Sequence, residues 1–187
     1  MKREDGILYG TRAYLAGNLE NSDPSCDWRT HVKNEFHKMG VIPLDPTDVM
    51  FYDQPRETEE DRQQFKVWRD NGEHEKIREL MIPIVQKDLR QIDLSDFILF
   101  NFQPEKPTSG THHELHAANY QKKPVFLSVD GKNNTPLWFY GIVKHKYIYN
   151  NIDEILEMLH NINEGKTEID SARWRLLKHE FRQPKPL

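Results

Sequence analysis

The sequence predicts an α/β domain built around a mainly parallel β-sheet. Short apolar runs that end in glycine or proline alternate along the chain with longer segments of helical periodicity. The run Phe97–Phe102 is apolar at almost every position, which is typical of a strand covered by helices on both faces. Because alternating strands and helices favour parallel pairing, we expect one sheet flanked by helices.

Composition restricts the class of protein before any motif is considered. The 187 residues suit one domain, and the 26 basic and 30 acidic residues give a net charge of −4. Without a basic block, nucleic-acid binding is disfavoured. No apolar run approaches the roughly 20 residues that span a bilayer, the first residues lack a secretory signal, and the single Cys26 fits a reducing compartment. We therefore expect a cytoplasmic protein that binds neither nucleic acid nor membrane.

The first half of the chain contains two strands and a helix. A strand is expected at 13–17 and a second at 41–46, each closed by glycine or proline. Between them a helix is expected at about 24–39, with Asp23 as its N-cap and Pro24 as its first residue. Residues at spacings of three and four give this helix one apolar face: Trp28, Val32, Phe36 and Met39.

A long charged insertion follows the second strand. Residues 47–73 carry isolated aromatic side chains among many charges, and a connection of this length is typical of a lid or binding loop, often with its own helix. Its aromatic residues either stack on a base or anchor the loop to the core. A helix is expected at 74–92, kinked or restarted at Pro83, before the third strand. One apolar stripe runs along it: Ile77, Leu80, Met81, Ile84, Val85 and Leu89.

The second half continues the alternation. We expect a helix at 110–122, a strand at 124–129, a short helix at 135–142, a strand at 146–149, a helix at 152–161 and a last helix at 168–182. The domain is expected to span residues 1–165, with 47–73 as its insertion and 166–187 as a C-terminal helical extension.

The expected ligand site lies where the strand order reverses. In open parallel sheets, ligands bind beyond the carboxyl ends of the strands at that point. With five strands in flavodoxin-like order, the loops after Gly17 and Phe102 flank it. Gly17 and Asn18 let backbone approach a ligand, and hydroxyl and N–H groups stand at the next helix start. These substrate-binding candidates are Thr108, Ser109, Gly110 and Thr111. Neither a dinucleotide fingerprint nor a Gly-Lys-Ser/Thr phosphate loop is present.

Two carboxylates are expected to reach this crevice. Glu114 falls about one turn into the helix that the second loop opens, and Asp88 lies on the helix before the third strand. A carboxylate pair suits glycosidic chemistry, in which one group attacks the anomeric carbon and the other handles the proton of the leaving group.

Three short motifs together resemble the nucleoside 2-deoxyribosyltransferase-like family. They are YLAG at 14–17, DLRQIDLSD at 88–96, and SGTHHEL at 109–115 followed by KPV at 123–125. The resemblance covers roughly residues 12–165. It implies a flavodoxin-like, doubly wound five-stranded parallel sheet flanked by helices. It also implies a cofactor-independent enzyme that transfers or hydrolyses at the N-glycosidic bond of a nucleoside or nucleotide, usually as a dimer or larger homo-oligomer.

The resemblance assigns roles to individual residues. Glu114 matches the nucleophile that forms a glycosyl-enzyme at C1′, Asp88 matches the aspartate that contacts the base and assists its protonation, and Tyr14 matches the tyrosine beside the nucleophile. Thr108 falls where transferases carry an aspartate and nucleotide hydrolases a serine, so its hydroxyl favours a nucleotide substrate or hydrolysis. His116 replaces a usual small residue.

The histidines and aspartates near these motifs also suggest metal sites. A zinc helix needs histidines four apart around a glutamate, but His113 is followed four residues later by alanine. His112 and His116 have that spacing, yet Glu114 then points to roughly the opposite face, and we expect no metal. Asp45 and Asp48 fit Mg²⁺ and a turn equally well.

Two other functions remain open for the chain as a whole. One is a non-catalytic nucleotide-binding or sensor module that uses the same crevice. The more distant one is a metal-dependent hydrolase of phosphate esters, which inhibition by a chelator would indicate.

Overall fold

A computed structural model describes residues 6–17, 28–48, 59–106, 109–170 and 172–174. Five parallel strands form one sheet in the order β2-β1-β3-β4-β5. The strands are β1 (Arg12–Gly17), β2 (Ile42–Leu44), β3 (Phe97–Phe102), β4 (Val125–Val129) and β5 (Ile148–Tyr149). This order confirms the flavodoxin-like α/β fold, and it reverses between β1 and β3 as predicted.

Six helices accompany the sheet within the described ranges. They are α1 (Trp28–Met39), α2 (Glu59–Asp70), α3 (His74–Leu94), α4 (Ser109–Tyr120), α5 (Leu137–Tyr140) and α6 (Ile152–Asn163). Helices α3 and α4 pack together on one face of the sheet, and α1 and α6 pack on the other. None of these helices is both long and apolar enough to cross a bilayer.

The predicted apolar face of α1 is confirmed by its burial. Val32, Phe36 and Met39 are buried against the sheet, and Trp28 packs at the edge of the core. The predicted cap at Asp23 and Pro24 lies outside the described residues, as does Cys26.

Helix α3 departs from its predicted pattern in two ways. It is not restarted at Pro83, and of the predicted stripe only Ile84 is buried, while Leu80 and Val85 are exposed at 41% and 45%. The cause is length. The 21 residues of α3 span about 31 Å, against about 20 Å for a six-residue strand, so its first half projects beyond the sheet and contacts α2. There, water can satisfy the carbonyl that a mid-helix proline leaves without a donor.

The described residues that follow α6 pack on the domain through Ile169 and Trp174. Trp174 is buried, and its ring lies 5.2 Å from that of Phe97 and 5.9 Å from that of Phe126. The described residues 168–170 and 172–174 are not helical, and the rest of the helix predicted at 168–182 lies outside them. The short helix predicted at 135–142 is present as the four residues of α5.

Candidate active site

Tyr14 and Glu114 meet where β1 passes beneath α4. The Tyr14 side chain is fully buried, and its Oη donates a hydrogen bond of 2.6 Å to Oε1 of Glu114. Glu114 lies in the second turn of α4, the helix that follows β3. A separation this short is typical of a hydroxyl bound to a carboxylate. Two residues that lie 100 positions apart in the sequence are therefore joined at the strand-order reversal.

The protonation of Glu114 is set by competing neighbours. Burial raises the pKa of its carboxyl to about 7, and the charge of Asp88 raises this pKa as well, whereas the Tyr14 hydrogen bond and the Arg29 charge lower it. Glu114 is therefore divided between acid and carboxylate at neutral pH. A carboxyl group shifted in this way by burial and a second acid is typical of catalytic sites.

Tyr14 remains a hydrogen-bond donor throughout the neutral range. Burial raises the pKa of its hydroxyl well above 10, and the charges of Glu114 and Asp88 raise it further. The hydroxyl therefore keeps its proton, and the hydrogen bond to Glu114 stabilises the ionised carboxylate.

Asp88 faces the same site from α3. Its carboxylate is partly buried, with Oδ1 3.7 Å from Nζ of Lys87, and that Nζ donates 2.7 Å to the carbonyl of Pro46. The charge of Asp88 acts on both Glu114 and Tyr14. The structure thus brings the three predicted catalytic residues together from β1, α3 and α4.

A buried cation near the site was missed from the sequence. Arg29 is 3% exposed, and its Nη2 donates 2.9 Å to the carbonyl of Gly17. Arg29 precedes Val32 by three residues and Phe36 by seven, so it falls on the inner stripe of α1. The presence of a charged residue at a core-facing position of α1 is the sequence pattern that could have identified Arg29.

The carboxylates of Asp45 and Asp48 bind other groups of the same chain. Asp45 is buried, accepts hydrogen bonds from the N–H and hydroxyl of Thr47, and lies 2.6 Å from Nζ of Lys33. Lys33 also pairs with Asp48 at 2.7 Å. This geometry is that of a turn with ion pairs, the second of the two readings.

The glycines of the two predicted substrate loops differ in their surroundings. A Cβ on Gly17 would lie 3.0 Å from both the carbonyl oxygen of Asn101 and the ring of Trp28, so packing favours glycine there. A Cβ on Gly110 would meet nothing within 4 Å. Packing therefore gives no reason for glycine at the start of α4.

The remaining predicted substrate-binding residues fall partly within the described structure. Ser109 is exposed beside Gly110, whereas Thr111 is buried. Asn18 and Thr108 lie outside the described residues.

The histidines of α4 have separate environments. His112 packs against the rings of Phe102 and Phe139, with centroids 5.6 Å and 5.4 Å away, while His113 and His116 are exposed. Within the described ranges no three His, Cys, Asp or Glu side chains are grouped closely enough to hold a metal ion.

The sequence profile of the nucleoside 2-deoxyribosyltransferases matches residues 13–159, which include Tyr14, Asp88 and Glu114. The chain belongs to this family. As a member of the nucleoside 2-deoxyribosyltransferase family, the chain is related to enzymes that act on N-glycosidic bonds. No curated protein sequence matches the chain.

Solved structures of similar fold include relatives of this deoxyribosyltransferase family. The 2-deoxyribosyltransferase from the psychrotolerant bacterium Bacillus psychrosaccharolyticus aligns with a TM-score of 0.50 and 15% identity over 78% of this chain and 90% of its own. A 2-deoxyribosyltransferase from Leishmania mexicana has a TM-score of 0.44 and 19% identity over 64% and 65% of the two chains. A CMP N-glycosidase from Clostridium botulinum has a TM-score of 0.44 and 15% identity over 80% and 97%.

Proposed function

We propose that this chain cleaves or transfers at the N-glycosidic bond of a (deoxy)nucleoside or nucleoside 5′-monophosphate through a covalent glycosyl-enzyme on Glu114. The observation that carries the proposal is the 2.6 Å hydrogen bond from Tyr14 to Glu114 at the strand-order reversal of a chain of this family. It orients one carboxylate oxygen and leaves the other, Oε2, for attack on the sugar.

The first step forms the glycosyl-enzyme. Oε2 of ionised Glu114 forms a bond to C1′ while the C1′–N bond breaks, and the bonding electron pair stays on the departing base. The base takes up a proton from the Asp88 carboxyl group as it leaves, and Asp88 becomes a carboxylate. The negative charge of Glu114 favours the positive charge that develops on the sugar ring.

The second step releases Glu114. Water or the nitrogen of a second base attacks C1′, the ester bond breaks, and its electron pair returns to the carboxylate. The attacking group loses a proton, which Asp88 is placed to accept by microscopic reversibility. Water gives a free sugar, and a base gives a new nucleoside.

Chromatography of nucleosides and 5′-monophosphates incubated with the protein tests the proposal directly. We expect a free base to appear, and a parallel incubation with a second base separates the two reactions. Free base alone indicates hydrolysis, and a new nucleoside indicates transfer. A nucleotide that binds tightly but stays intact over long incubation would instead support the sensor module and overturn the proposal.

Tyr14→Phe should slow the reaction and move its acid limb to higher pH. The hydrogen bond that lowers the pKa of Glu114 is lost, so this pKa rises and the reactive carboxylate becomes scarcer below it. A hydrogen bond to a charged group contributes about 1.5–3 kcal/mol, so we expect roughly a tenfold or larger loss of rate. The measurement is kcat/KM from pH 5 to 9.

Tyr149→Phe is the matched control for Tyr14→Phe. Tyr149 is also buried, but its hydroxyl has no hydrogen-bond partner in the part of the chain that is described. Removal of the Tyr149 hydroxyl should leave the pH dependence of kcat/KM unchanged. Equal profiles for Tyr14→Phe and the wild type would contradict the assigned contact.

Gly110→Ala should weaken substrate binding without harming the fold. A Cβ at this position meets open space in the free protein, and alanine favours a helix over glycine by up to about 1 kcal/mol. If substrate approaches this helix start closely, the methyl group occupies its space, and KM should rise several-fold while thermal stability is kept. An unchanged KM would remove Gly110 from the substrate contact.

We further propose a homo-oligomer in the cytoplasm. Leu137 and Trp138 of α5 are exposed at 88% and 72%, more than a solitary chain usually leaves in contact with water. The single cysteine supports a reducing compartment. A monomeric mass by light scattering would contradict the oligomer.

A further inference from the structure

Arg29 joins helix α1 to the ends of two strands beside the site. Its Nη2 donates 2.9 Å to the carbonyl of Gly17, the last residue of β1, and its Nε lies 3.6 Å from Oδ1 of Asp45, just after β2. The guanidinium carbon also lies 4.5 Å from the ring centroid of Trp28. A planar guanidinium can make these contacts together because its donors are fixed in a fork.

The strand end that Arg29 holds also carries the hydroxyl that binds Glu114. Only Leu15 and Ala16 lie between Tyr14 and Gly17, so about 10 Å of extended chain joins the two residues. A shift at the carboxyl end of β1 would therefore move the Tyr14 hydroxyl relative to α4. Because productive geometry is sensitive to small displacements, a contact that fixes this end bears on the reaction.

Arg29 and Asp88 have opposite effects on the pKa of Glu114. Glu114 is faced by Tyr14 from β1, by Asp88 from α3 and by Arg29 from α1, and Nζ of Lys87 lies 3.7 Å from Oδ1 of Asp88. Two carboxylates at one buried site repel each other, so one is driven toward its protonated form unless a cation lies near. Arg29 lowers the pKa of Glu114 and of Tyr14, whereas Asp88 raises both.

We propose that Arg29 is a positioning residue for the reaction proposed above: it fixes the carboxyl end of β1 and thereby holds the Tyr14 hydroxyl against Glu114. The inference rests on the proposed function for its effect on turnover. Its effect on the ionisation of Glu114 does not depend on that function.

Two variants of Arg29 separate its charge from its geometry. Arg29→Gln removes both, so the plateau rate should fall and the acid limb should move to higher pH. Arg29→Lys keeps the charge but not the fork, so the plateau should fall while the midpoint moves less than in Arg29→Gln. A purely structural role would not divide the two effects in this way.

Arg78→Gln is the matched control, because it removes one positive charge from an exposed site on α3. A titration of the Glu114 side-chain carboxyl by ¹³C NMR supplies a readout that needs no substrate. We expect its midpoint to move up in Arg29→Gln and to stay in Arg78→Gln. If the NMR midpoint moves but the wild type releases no base, the proposed function fails while the role of Arg29 in ionisation stands.

Two results would overturn the inference. One is a folded Arg29→Gln variant whose Glu114 titrates as in the wild type. The other is an Arg29→Lys variant with an unchanged plateau and midpoint, and this result decides the matter if Arg29→Gln does not fold.

Discussion

Glu114→Gln should abolish turnover and leave the chain folded. Glutamine has nearly the shape of glutamate and can still accept the hydrogen bond from Tyr14, but its amide cannot form the ester with C1′. Loss of a nucleophile from a covalent mechanism costs roughly four orders of magnitude or more in rate. The measurement is release of base under single-turnover conditions, with folding followed by circular dichroism.

Glu157→Gln provides the control for Glu114→Gln, since Glu157 is an exposed glutamate on α6. It should retain full activity. In the wild type, acid quenching followed by mass spectrometry should find the sugar on the peptide that contains Glu114. Substantial base release by Glu114→Gln would show that the nucleophile lies elsewhere.

The same Glu114→Gln substitution should stabilise the protein at alkaline pH. The pKa of Glu114 is about 7 in the folded chain, against 4.5 for an ordinary glutamate. The folded state therefore holds this proton more tightly than the unfolded state does. Stability that is present below pH 4.5 is lost as the pH rises through 7. Glutamine has no charge to bury. Above pH 8, the free energy of unfolding of Glu114→Gln should therefore exceed that of the wild type by an amount on the order of 3 kcal/mol.

Urea unfolding at pH 5 and pH 8 measures this difference. Relative to the wild type, Glu114→Gln should gain little at pH 5 and most at pH 8, whereas Glu157→Gln should show no comparable dependence on pH. A gain that is equal at both pH values would mean that the burial of Glu114 does not disfavour its charge. The expected combination is an inactive protein that is more stable than the active one, as when a site is built at the expense of stability.

The sequence predicted the residues that local patterns control. Continuous apolar runs identified β3, and the helix start at Ser109 placed Glu114 near the end of that strand, because period and turn chemistry act over short distances. The fold and the meeting of Tyr14 with Glu114 followed from strand order, which the motifs supplied.

What the sequence did not predict depends on neighbours that are distant in the chain. Arg29 falls on the inner stripe of α1, but only the packed structure brings Gly17 and Asp45 to its guanidinium. The apolar stripe of α3 predicted burial along the whole helix, yet the first half of the helix extends past the sheet. The sequence could not predict this extension, because the pattern of a helix carries no information on the length of the strands beside it. The sequence predicted a ligand-binding role for Gly17 but not its close packing against Trp28 and Asn101, which only the folded structure shows.

The two halves of helix α3 have different roles, because the first half projects beyond the sheet and the second half carries Asp88. Ile92 is buried in the core of the domain and Leu89 packs against that core, so the second half of α3, which carries Asp88, is held on the sheet. Residues before Ile84 can lengthen, shorten or change character without altering where Asp88 stands relative to Glu114. Variation in the projecting hairpin of α2 and α3 can thus accumulate beside the proposed reaction centre while Asp88 and Glu114 keep their spacing.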